Sequence, residues 1–238
     1  MNIDVLTLFP DLFKILHEFG VIGKAMDRGL ITLNTHQIRD YATDKHHSVD
    51  DTVFGGAAGM LMKPNVLYDA LEAVRSPQSH VVFLSPQGSL LTQDKARELA
   101  QKKHLVLLCG HYEGIDARIT NHYVDEEISI GDYVLTGGEL PAMVLIDTVV
   151  RWVDAVLGNP DSAASDSHVE PLLQYDEYTK PREFRGHEVP EILLSGNHQA
   201  IAAWRKENAL ENTKRKRPDL YARYMAENRD EGGIHGLH

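Results

Sequence analysis

The sequence predicts an α/β fold, with a parallel sheet in the first part of the chain and a small helical domain after it. Three short, β-rich apolar runs predict buried strands, since each is followed by Pro or Gly: Ile3–Phe9, His80–Leu84 and Leu105–Cys109. Helical patterns lie between these runs, and strands that alternate with helices indicate a parallel sheet. The length of 238 residues suits one large domain, or a domain of about 150 residues with a smaller one.

Three helices and one further strand are predicted in the first part of the chain. Asp11–Phe19 predicts an amphipathic helix, and Thr92–Lys103 predicts a helix that begins with a capping Thr and ends on lysines. A strand is predicted at Val124–Ile128. Glu139–Leu157 predicts a long apolar helix with Pro141 near its first turn, where a missing N–H costs little. The first helix would bury one face, formed by Leu12, Phe13, Ile15, Leu16 and Phe19.

The character of the sequence changes after this long helix. Residues 159–171 offer almost no side chain to bury, which predicts a flexible linker. The predicted domains are therefore residues 1–158 and residues 172–238. Two helices are predicted in the second domain, Asn197–Asn208, which opens on a capping Asn, and Asp219–Asn228.

Cysteine content and charge exclude several classes of protein. Cys109 is the one cysteine, so the chain has no internal disulfide, no Cys-rich zinc site and no dithiol chemistry. No apolar stretch reaches the length of a membrane span, and the first residues lack the basic start of a signal peptide. We therefore expect a cytoplasmic protein that does not enter a membrane. The net charge of −11 is an average, because Lys214–Arg217 forms a basic run that either contacts phosphate or ends a solvated helix.

Familiar nucleotide and metal motifs are missing from the sequence. Gly20–Ala25 lacks the first glycine and the Ser or Thr of a phosphate-binding P-loop, and no GxGxxG follows a strand. His111-Tyr112-Glu113 mimics the H-x-E of zinc deaminases but has no downstream pair of cysteines. His46-His47 has no carboxylates at ligand spacing. The sequence therefore predicts no metal site and argues against a nucleotide-cofactor enzyme.

Three glycine-containing loops lie at or near the ends of predicted strands: Leu84–Gly88, Gly110–Asp116 and Ser129–Pro141. Glycine lets the backbone approach a ligand closely, and open α/β sheets bind ligands at the carboxyl ends of their strands. The three loops together predict one binding pocket. A fourth segment, Asp50–Met60, combines paired acids with glycines. It is either a reader of base edges that present N–H groups or a flexible hairpin with surface acids.

The three glycine-containing loops, Leu84–Gly88, Gly110–Asp116 and Ser129–Pro141, resemble signature segments of a known family, as does Leu194–His198. The family is the bacterial tRNA (guanine-N1)-methyltransferases, TrmD, of the SPOUT class. The resemblance runs from Ile3 to about Trp204. It implies a sheet tied in a trefoil knot, a homodimer with active sites at the subunit interface, and a tRNA-binding domain at residues 172–238. It also implies S-adenosylmethionine as the methyl donor. A dependence on Mg²⁺ stays open, with no residue assigned to the ion.

The resemblance implies roles for individual residues of this sequence. Asp166 and Arg151 would be the catalytic residues. Asp50 and Glu113 would bind the substrate, with Asp50 reading the base beside the target. The implied donor-binding residues are Leu84, Ser85, Pro86, Gln87, Gly88, Gly110, Tyr112, Glu113, Ser129, Ile130, Gly131, Tyr133, Leu135, Gly137, Gly138 and Pro141.

The implied reaction transfers a methyl group to N1 of the guanosine that is 3′-adjacent to the tRNA anticodon. Asp166 suits a general base that removes the N1 proton, and Arg151 suits a cation that stabilises charge on O6. The sequence departs from the family at two places that bear on the RNA-facing loop. Ala57-Ala58 stands where family members often have a glycine-proline version of the loop, and His111 stands where Arg is common. The alternatives are a related enzyme that methylates the ribose 2′-hydroxyl, and a non-catalytic RNA-binding module.

Overall fold

The chain folds into two units, Met1–Pro160 and Asp161–His238, and the computed structural model describes residues 1–18, 20–158 and 166–232. No helix in these ranges is long and apolar enough to cross a membrane. Short 3₁₀ turns follow the first and second strands, at Pro10–Lys14 and Ile38–Tyr41. The other elements of the first unit are β1 (Asn2–Thr7), α1 (Ile15–Glu18), α2 (Gly20–Asp27), β2 (Thr32–Gln37), β3 (Asp50–Thr52), β4 (Met60–Met62), α3 (Pro64–Val74), β5 (Ser79–Leu90), α4 (Gln93–Ala100), β6 (His104–Cys109), α5 (Ala117–Tyr123), β7 (Glu126–Ser129) and α6 (Glu139–Val150).

Five parallel strands form the central sheet, in the order β2-β1-β6-β5-β7. The middle strands β1 and β6 are buried on both faces, as their continuous apolar runs require. On one face, Ile3 and Leu107 belong to a core cluster that includes the buried side of α6. On the other face, Leu6 and Val106 share a core with the buried side of α3. The predicted α/β fold with a parallel sheet is confirmed.

The segment after β1 differs from the predicted helix at Asp11–Phe19. A 3₁₀ turn leads instead into the short helix α1. Phe13 of the turn and Leu16 of α1, three residues apart, lie together on the buried side. Leu12 and Ile15 lie on the other side and are 50% and 55% exposed, so the predicted single apolar face is wrong. Phe19, the last residue of that predicted face, lies outside the described residues.

The long apolar helix predicted at Glu139–Leu157 is shorter in the structure and ends at Val150. Beyond it the backbone forms turns, in which Ala155 has a φ of 64° that a helix does not accommodate. The Arg28 guanidinium donates to the Ala155 carbonyl at 2.9 Å and holds this turn. Arg151 is therefore the C-cap residue of α6 and not part of its interior.

The predicted strands are present, but their ends differ. β5 continues to Leu90, because the backbone bulges between Leu84 and Ser89 and then pairs again with β7. β1 ends before Phe9, and β7 begins after Val124. No strand is predicted at β2, because it contains a single apolar side chain among polar ones.

Both predicted helices of the second unit are present. The Asn197 side chain accepts a hydrogen bond from the Ala200 N–H and caps the first of them, which continues past Asn208. A small hairpin and a 3₁₀ turn that the sequence pattern does not predict precede these helices. The elements of this unit are β8 (Glu183–Phe184), β9 (His187–Glu188), the 3₁₀ turn Glu191–Leu194, α7 (His198–Lys216) and α8 (Pro218–Gly232).

The predicted linker at residues 159–171 falls only partly within the described structure. Residues 159–165 lie outside the described ranges, and residues 166–171 form turns and bends. Further along, the Leu173 N–H donates to Thr213 Oγ1 of α7 at 2.8 Å, which anchors the chain within the second unit. The division into domains at residues 1–158 and 172–238 stays a prediction.

Candidate functional site

The loops that follow β5, β6 and β7 meet at the carboxyl edge of the sheet and enclose a cleft of about 370 Å³. Parallel strands end at the same edge, so loops that are distant in sequence come together there. The volume lies in the range of pockets that bind small organic ligands. The residues that line the cleft are Phe83, Leu84, Ser85, Pro86, Gln87, Gly110, His111, Tyr112, Glu113, Gly114, Ile115, Ala117, Thr120, Glu127, Ile128, Ser129, Ile130, Gly131, Tyr133, Val134, Leu135, Thr136, Gly137, Gly138 and Pro141.

All but one of the residues assigned to donor binding by resemblance line this cleft. The exception is Gly88, which lies in β5 and faces β7. A Cβ atom on Gly88 would come within 2.4 Å of the Glu127 carbonyl carbon and the Ile128 nitrogen, so its role is to let the two strands approach. Some lining residues lie at strand ends or on α5, outside the three predicted loops, and no local pattern marks them: Phe83, Ala117, Thr120, Glu127 and Ile128.

Backbone contacts hold two of the three loops against each other. The Gly138 N–H donates to the Gly110 carbonyl at 3.0 Å, and His111 forms an antiparallel bridge with Gly137. A Cβ atom on Gly138 would lie 2.6 Å from the Cys109 Cα, so only glycine permits this approach. The two loops therefore form one wall of the cleft.

A buried carboxylate lies behind this wall, at the first residue of α6. Glu139 is 4% exposed and accepts hydrogen bonds from Thr7 Oγ1 at 2.6 Å and from His111 Nε2 at 2.8 Å. Burial alone would raise the pKa of the Glu139 carboxyl, but the hydrogen bonds from His111 and Thr7 outweigh it and lower the pKa below its ordinary value. Glu139 is therefore a buried anion with two partners. Sequence reasoning assigned no role to Thr7 or Glu139.

The charged side chains along the cleft are acidic. Among the described residues that line it, Glu113 and Glu127 carry carboxylates, no Lys or Arg occurs, and His111 alone can take a positive charge. This composition suits a ligand with cationic groups. The neighbouring Cys109 is not a nucleophile here, because burial and the charge of Glu139 raise the pKa of its thiol well above its ordinary value.

Asp50 lies at the start of a hairpin that is hydrogen-bonded to the cleft wall. Its strand β3 pairs with β4, with Asp50 opposite Met62. The Glu113 N–H donates to the Met60 carbonyl at 3.0 Å, and the Met62 N–H donates to the Gly114 carbonyl at 3.1 Å. These bonds place the hairpin beside Glu113, which itself lines the cleft. The structure therefore places the hairpin that carries Asp50 against the loop that carries Glu113. The roles of both residues in substrate binding stay predictions.

The two residues assigned to catalysis belong to different units of the fold. Arg151 ends α6, whose N-terminus is at the cleft, and the 12 residues of this helix rise about 18 Å. One chain therefore does not bring its own Arg151 into its own cleft. Asp166 belongs to the second unit, where it lines a groove together with Arg205 and Tyr175. The Arg205 guanidinium lies 4.8 Å from the centre of the Tyr175 ring.

No metal centre is placed within the described ranges, where no group of three or more His, Cys, Asp or Glu side chains could hold an ion.

The comparisons with known proteins point in one direction. A family model described as tRNA (Guanine-1)-methyltransferase TrmD matches residues 1–223 of the chain.

The chain belongs to the tRNA (Guanine-1)-methyltransferase TrmD family. It is 57% identical over 233 residues to the tRNA (guanine-N(1)-)-methyltransferase of Finegoldia magna, with 98% of this chain and 100% of that protein covered. It is 51% identical to the protein of the same name from Dehalococcoides mccartyi, with 92% and 90% covered. The protein of that name from Staphylococcus epidermidis is 48% identical, with 97% and 94% covered. These matches confirm the resemblance to the TrmD family that the sequence motifs indicate.

Proposed function

We propose that the protein transfers a methyl group from S-adenosylmethionine to N1 of the guanosine 3′-adjacent to the tRNA anticodon. The family match over residues 1–223 carries the enzyme class, and the chain is a tRNA (guanine-N1)-methyltransferase. The same match favours N1 over the ribose 2′-hydroxyl as the methylated atom, and an enzyme over a non-catalytic RNA-binding module. The proposal includes a cytoplasmic location, because the substrate is tRNA. The trefoil knot, with the donor bound among its loops, is also part of the proposal.

The backbone-lined wall and the charge of the cleft support S-adenosylmethionine as its ligand. Its wall includes glycines at which a side chain would collide with backbone, as at Gly138, so the ligand would meet backbone N–H and C=O groups. The carboxylates of Glu113 and Glu127 line the cleft and complement a ligand with a sulfonium and an ammonium group. When bound, S-adenosylmethionine supplies an activated methyl group. The residues of the three loops hold and orient it, and exclude water.

Asp166 and Arg151 carry out the proton and charge steps of the proposed mechanism. Guanine N1 is a poor nucleophile while it carries its proton, so a carboxylate must accept that proton as the methyl group is attacked. Asp166 is assigned this task as a general base. Negative charge then develops on O6, and the guanidinium of Arg151 stabilises it as a fixed cation. Asp50, on the hairpin beside Glu113, reads the neighbouring base through its carboxylate oxygens.

A homodimer with active sites at the subunit interface explains why Arg151 lies far from the cleft of its own chain. Apolar side chains of the first unit are exposed, as expected of a surface that a second copy covers. Leu140 and Val144, one turn apart on α6, are 60% and 45% exposed, and Leu12 and Ile15 are about half exposed. A second chain that packs on this surface in a symmetric dimer would bring Arg151 of one subunit to the cleft of the other.

The first test concerns donor binding by the protein alone. We expect S-adenosylmethionine to bind the free protein in the presence of a metal chelator and without tRNA. The reason is that every described residue that lines the cleft belongs to the first unit, and that the described residues contain no group of side chains that could hold a metal ion. Isothermal titration calorimetry measures this binding. An absence of binding at millimolar donor would remove the donor assignment, and binding only after Mg²⁺ is added would show that the ion belongs to the site.

The second test concerns the basic run at the end of α7. Arg217 already pairs with Asp219 at 2.6 Å, which lowers the pKa of that carboxyl to about 2. Lys214 and Arg215 are the better candidates for phosphate contacts. We expect replacement of both by Gln to flatten the log–log salt dependence of tRNA binding by about 0.7–0.9 per lost contact. Filter binding over a range of salt concentrations measures the slope.

The matched control for this experiment is a second basic pair of equal charge. Lys102 and Lys103 follow α4 at the amino edge of the sheet, opposite the cleft. Their replacement by Gln should leave the slope within error of the wild type. If replacing either pair changes the slope equally, the effect is one of general charge. If neither replacement changes the slope, Lys214 and Arg215 belong to a solvated helix end.

A further inference from the structure

Gly137 packs against the hydrogen-bonded pair of His111 and Glu139 at the wall of the cleft, which His111 itself also lines. A Cβ atom on Gly137 would come within 2.3 Å of His111 Cε1 and 2.7 Å of Glu139 Oε2. The backbone at this position therefore rests directly on the pair, with no room for a side chain. Because Gly137 also lines the cleft, any movement of the pair moves the cleft wall.

The residue after His111 needs external support to keep its conformation. Tyr112 has a φ of 60°, in the left-handed region that is unfavourable for a residue with a side chain. Such a conformation persists when its surroundings fix it. The His111 ring is fixed by the Glu139 carboxylate at 2.8 Å and by edge contacts with Phe9 and Tyr112, whose ring centres lie 5.2 and 6.3 Å away.

The pair also links segments that are far apart in the sequence. Glu139 is joined to Thr7 at the end of β1, 132 residues away, and to His111 after β6, 28 residues away. The Thr7 side chain is fully buried. The carboxylate is therefore a fixed point, and within the described residues the side chain of His111 joins the loop after β6 to it.

We propose that His111 is a positioning residue for the methyl donor, and that its hydrogen bond to Glu139 holds Tyr112 and Gly137 in the shape that the donor requires. This inference rests on the proposed function, because it assumes that the cleft binds S-adenosylmethionine. Although His111 lines the cleft itself, it acts on the donor through the conformation of Tyr112 and Gly137. This effect depends on the hydrogen bond that His111 donates to Glu139 and on the packing of its ring. Arg at this position keeps an N–H donor for Glu139, whereas Ala keeps neither property.

A second His–Glu pair in the same unit provides a matched control. His80 Nε2 lies 2.6 Å from Glu126 Oε1, and both side chains are less than one-fifth exposed. Neither residue lines the cleft. Loss of either histidine removes one partner of a largely buried carboxylate and should lower thermal stability. Loss of donor affinity should follow only from the change at His111.

The experiment compares His111→Ala, His111→Arg and His80→Ala in the full-length protein. Calorimetry gives the dissociation constant of S-adenosylmethionine, steady-state kinetics give KM for the donor and for tRNA, and thermal unfolding gives stability. The loss of a hydrogen bond to a charged group corresponds to about tenfold or more in affinity. We expect His111→Ala to weaken donor binding by about that factor and to raise the donor KM, with the tRNA KM unchanged. His111→Arg should recover most of the affinity, and His80→Ala should bind as the wild type does.

The outcomes separate this inference from the proposed function. Wild-type protein that binds no S-adenosylmethionine would overturn both. Wild-type binding together with equal binding by His111→Ala, or equal losses in His111→Ala and His80→Ala, would overturn the role of His111 alone. If His111→Ala does not fold, the double variant His111→Ala/Glu139→Gln removes the buried charge as well. Donor binding by that variant at wild-type affinity would also overturn the inference.

Discussion

Replacement of Asp166 by Asn is expected to abolish methyl transfer while leaving donor binding intact. The amide cannot accept the N1 proton of guanine, and general-base catalysis accounts for a factor of about 10²–10⁴ in rate. The described residues that line the cleft belong to the first unit, whereas Asp166 belongs to the second. Single-turnover kinetics with saturating donor should show a loss of at least about 10², and calorimetry should show an unchanged affinity for S-adenosylmethionine.

Glu170→Gln is the matched control for this variant. Glu170 lines the same groove of the second unit as Asp166, and the substitution makes the same change in charge. We expect Glu170→Gln to react at a rate close to the wild type. A rate for Asp166→Asn within about threefold of the wild type, far below the usual size of a general-base effect, would show that another group removes the proton.

The second large effect is expected from mixing two inactive variants. Thr136 lines the cleft and is exposed, so Thr136→Trp fills the cleft without disturbing the core, and it should bind no donor. A Cβ atom on Gly138, by contrast, would collide with the Cys109 backbone, so a lesion there would damage the fold. If Asp166 of one subunit completes the cleft of the other, a heterodimer of Thr136→Trp with Asp166→Asn has one intact site and one site with both lesions.

Activity should therefore reappear when the two variants are unfolded, mixed and refolded. Random assembly of equal amounts makes half of the dimers mixed, and one of their two sites is intact, so about a quarter of the wild-type activity is expected. A mixture of Thr136→Trp with Leu135→Trp, which places both lesions in the cleft, is the control and should stay inactive. Verified heterodimers without recovered methyl transfer would show that each chain completes its own site.

The cleft was predictable from the sequence because its walls are loops whose local composition is constrained. A glycine that is required by a close backbone contact can be recognised at a single sequence position, as at Gly138. Gly88, which is not among the described residues that line the cleft, shows the limit of this signal. Glycine there is required by the neighbouring strand β7, and the sequence alone does not distinguish a strand from a ligand as the cause.

The support behind the cleft was not predictable, because it depends on contacts between distant residues. Glu139 appears in the sequence as an acid in the first turn of a helix, where acids are common. Its partners Thr7 and His111 lie 132 and 28 residues away, beyond any local pattern. The sequence does not predict β2, because most residues of this edge strand are polar. It predicts too long a helix at α6, because the apolar run continues after the helix ends at Val150.

The strand order of the sheet has a consequence for how the chain folds during synthesis. β1 is made first, but its partner β6 lies about 100 residues later, as the bond between Asp4 and His104 shows. Until β6 is complete at Cys109, β1 has only β2 beside it, and two strands alone are not stable. At synthesis rates of about 5–20 residues per second, this interval lasts roughly 5–20 s. During this interval the apolar side chains of β1 lack the β6 side of their core. We therefore expect β1 to be open to chaperones and to misassociation while the chain is on the ribosome.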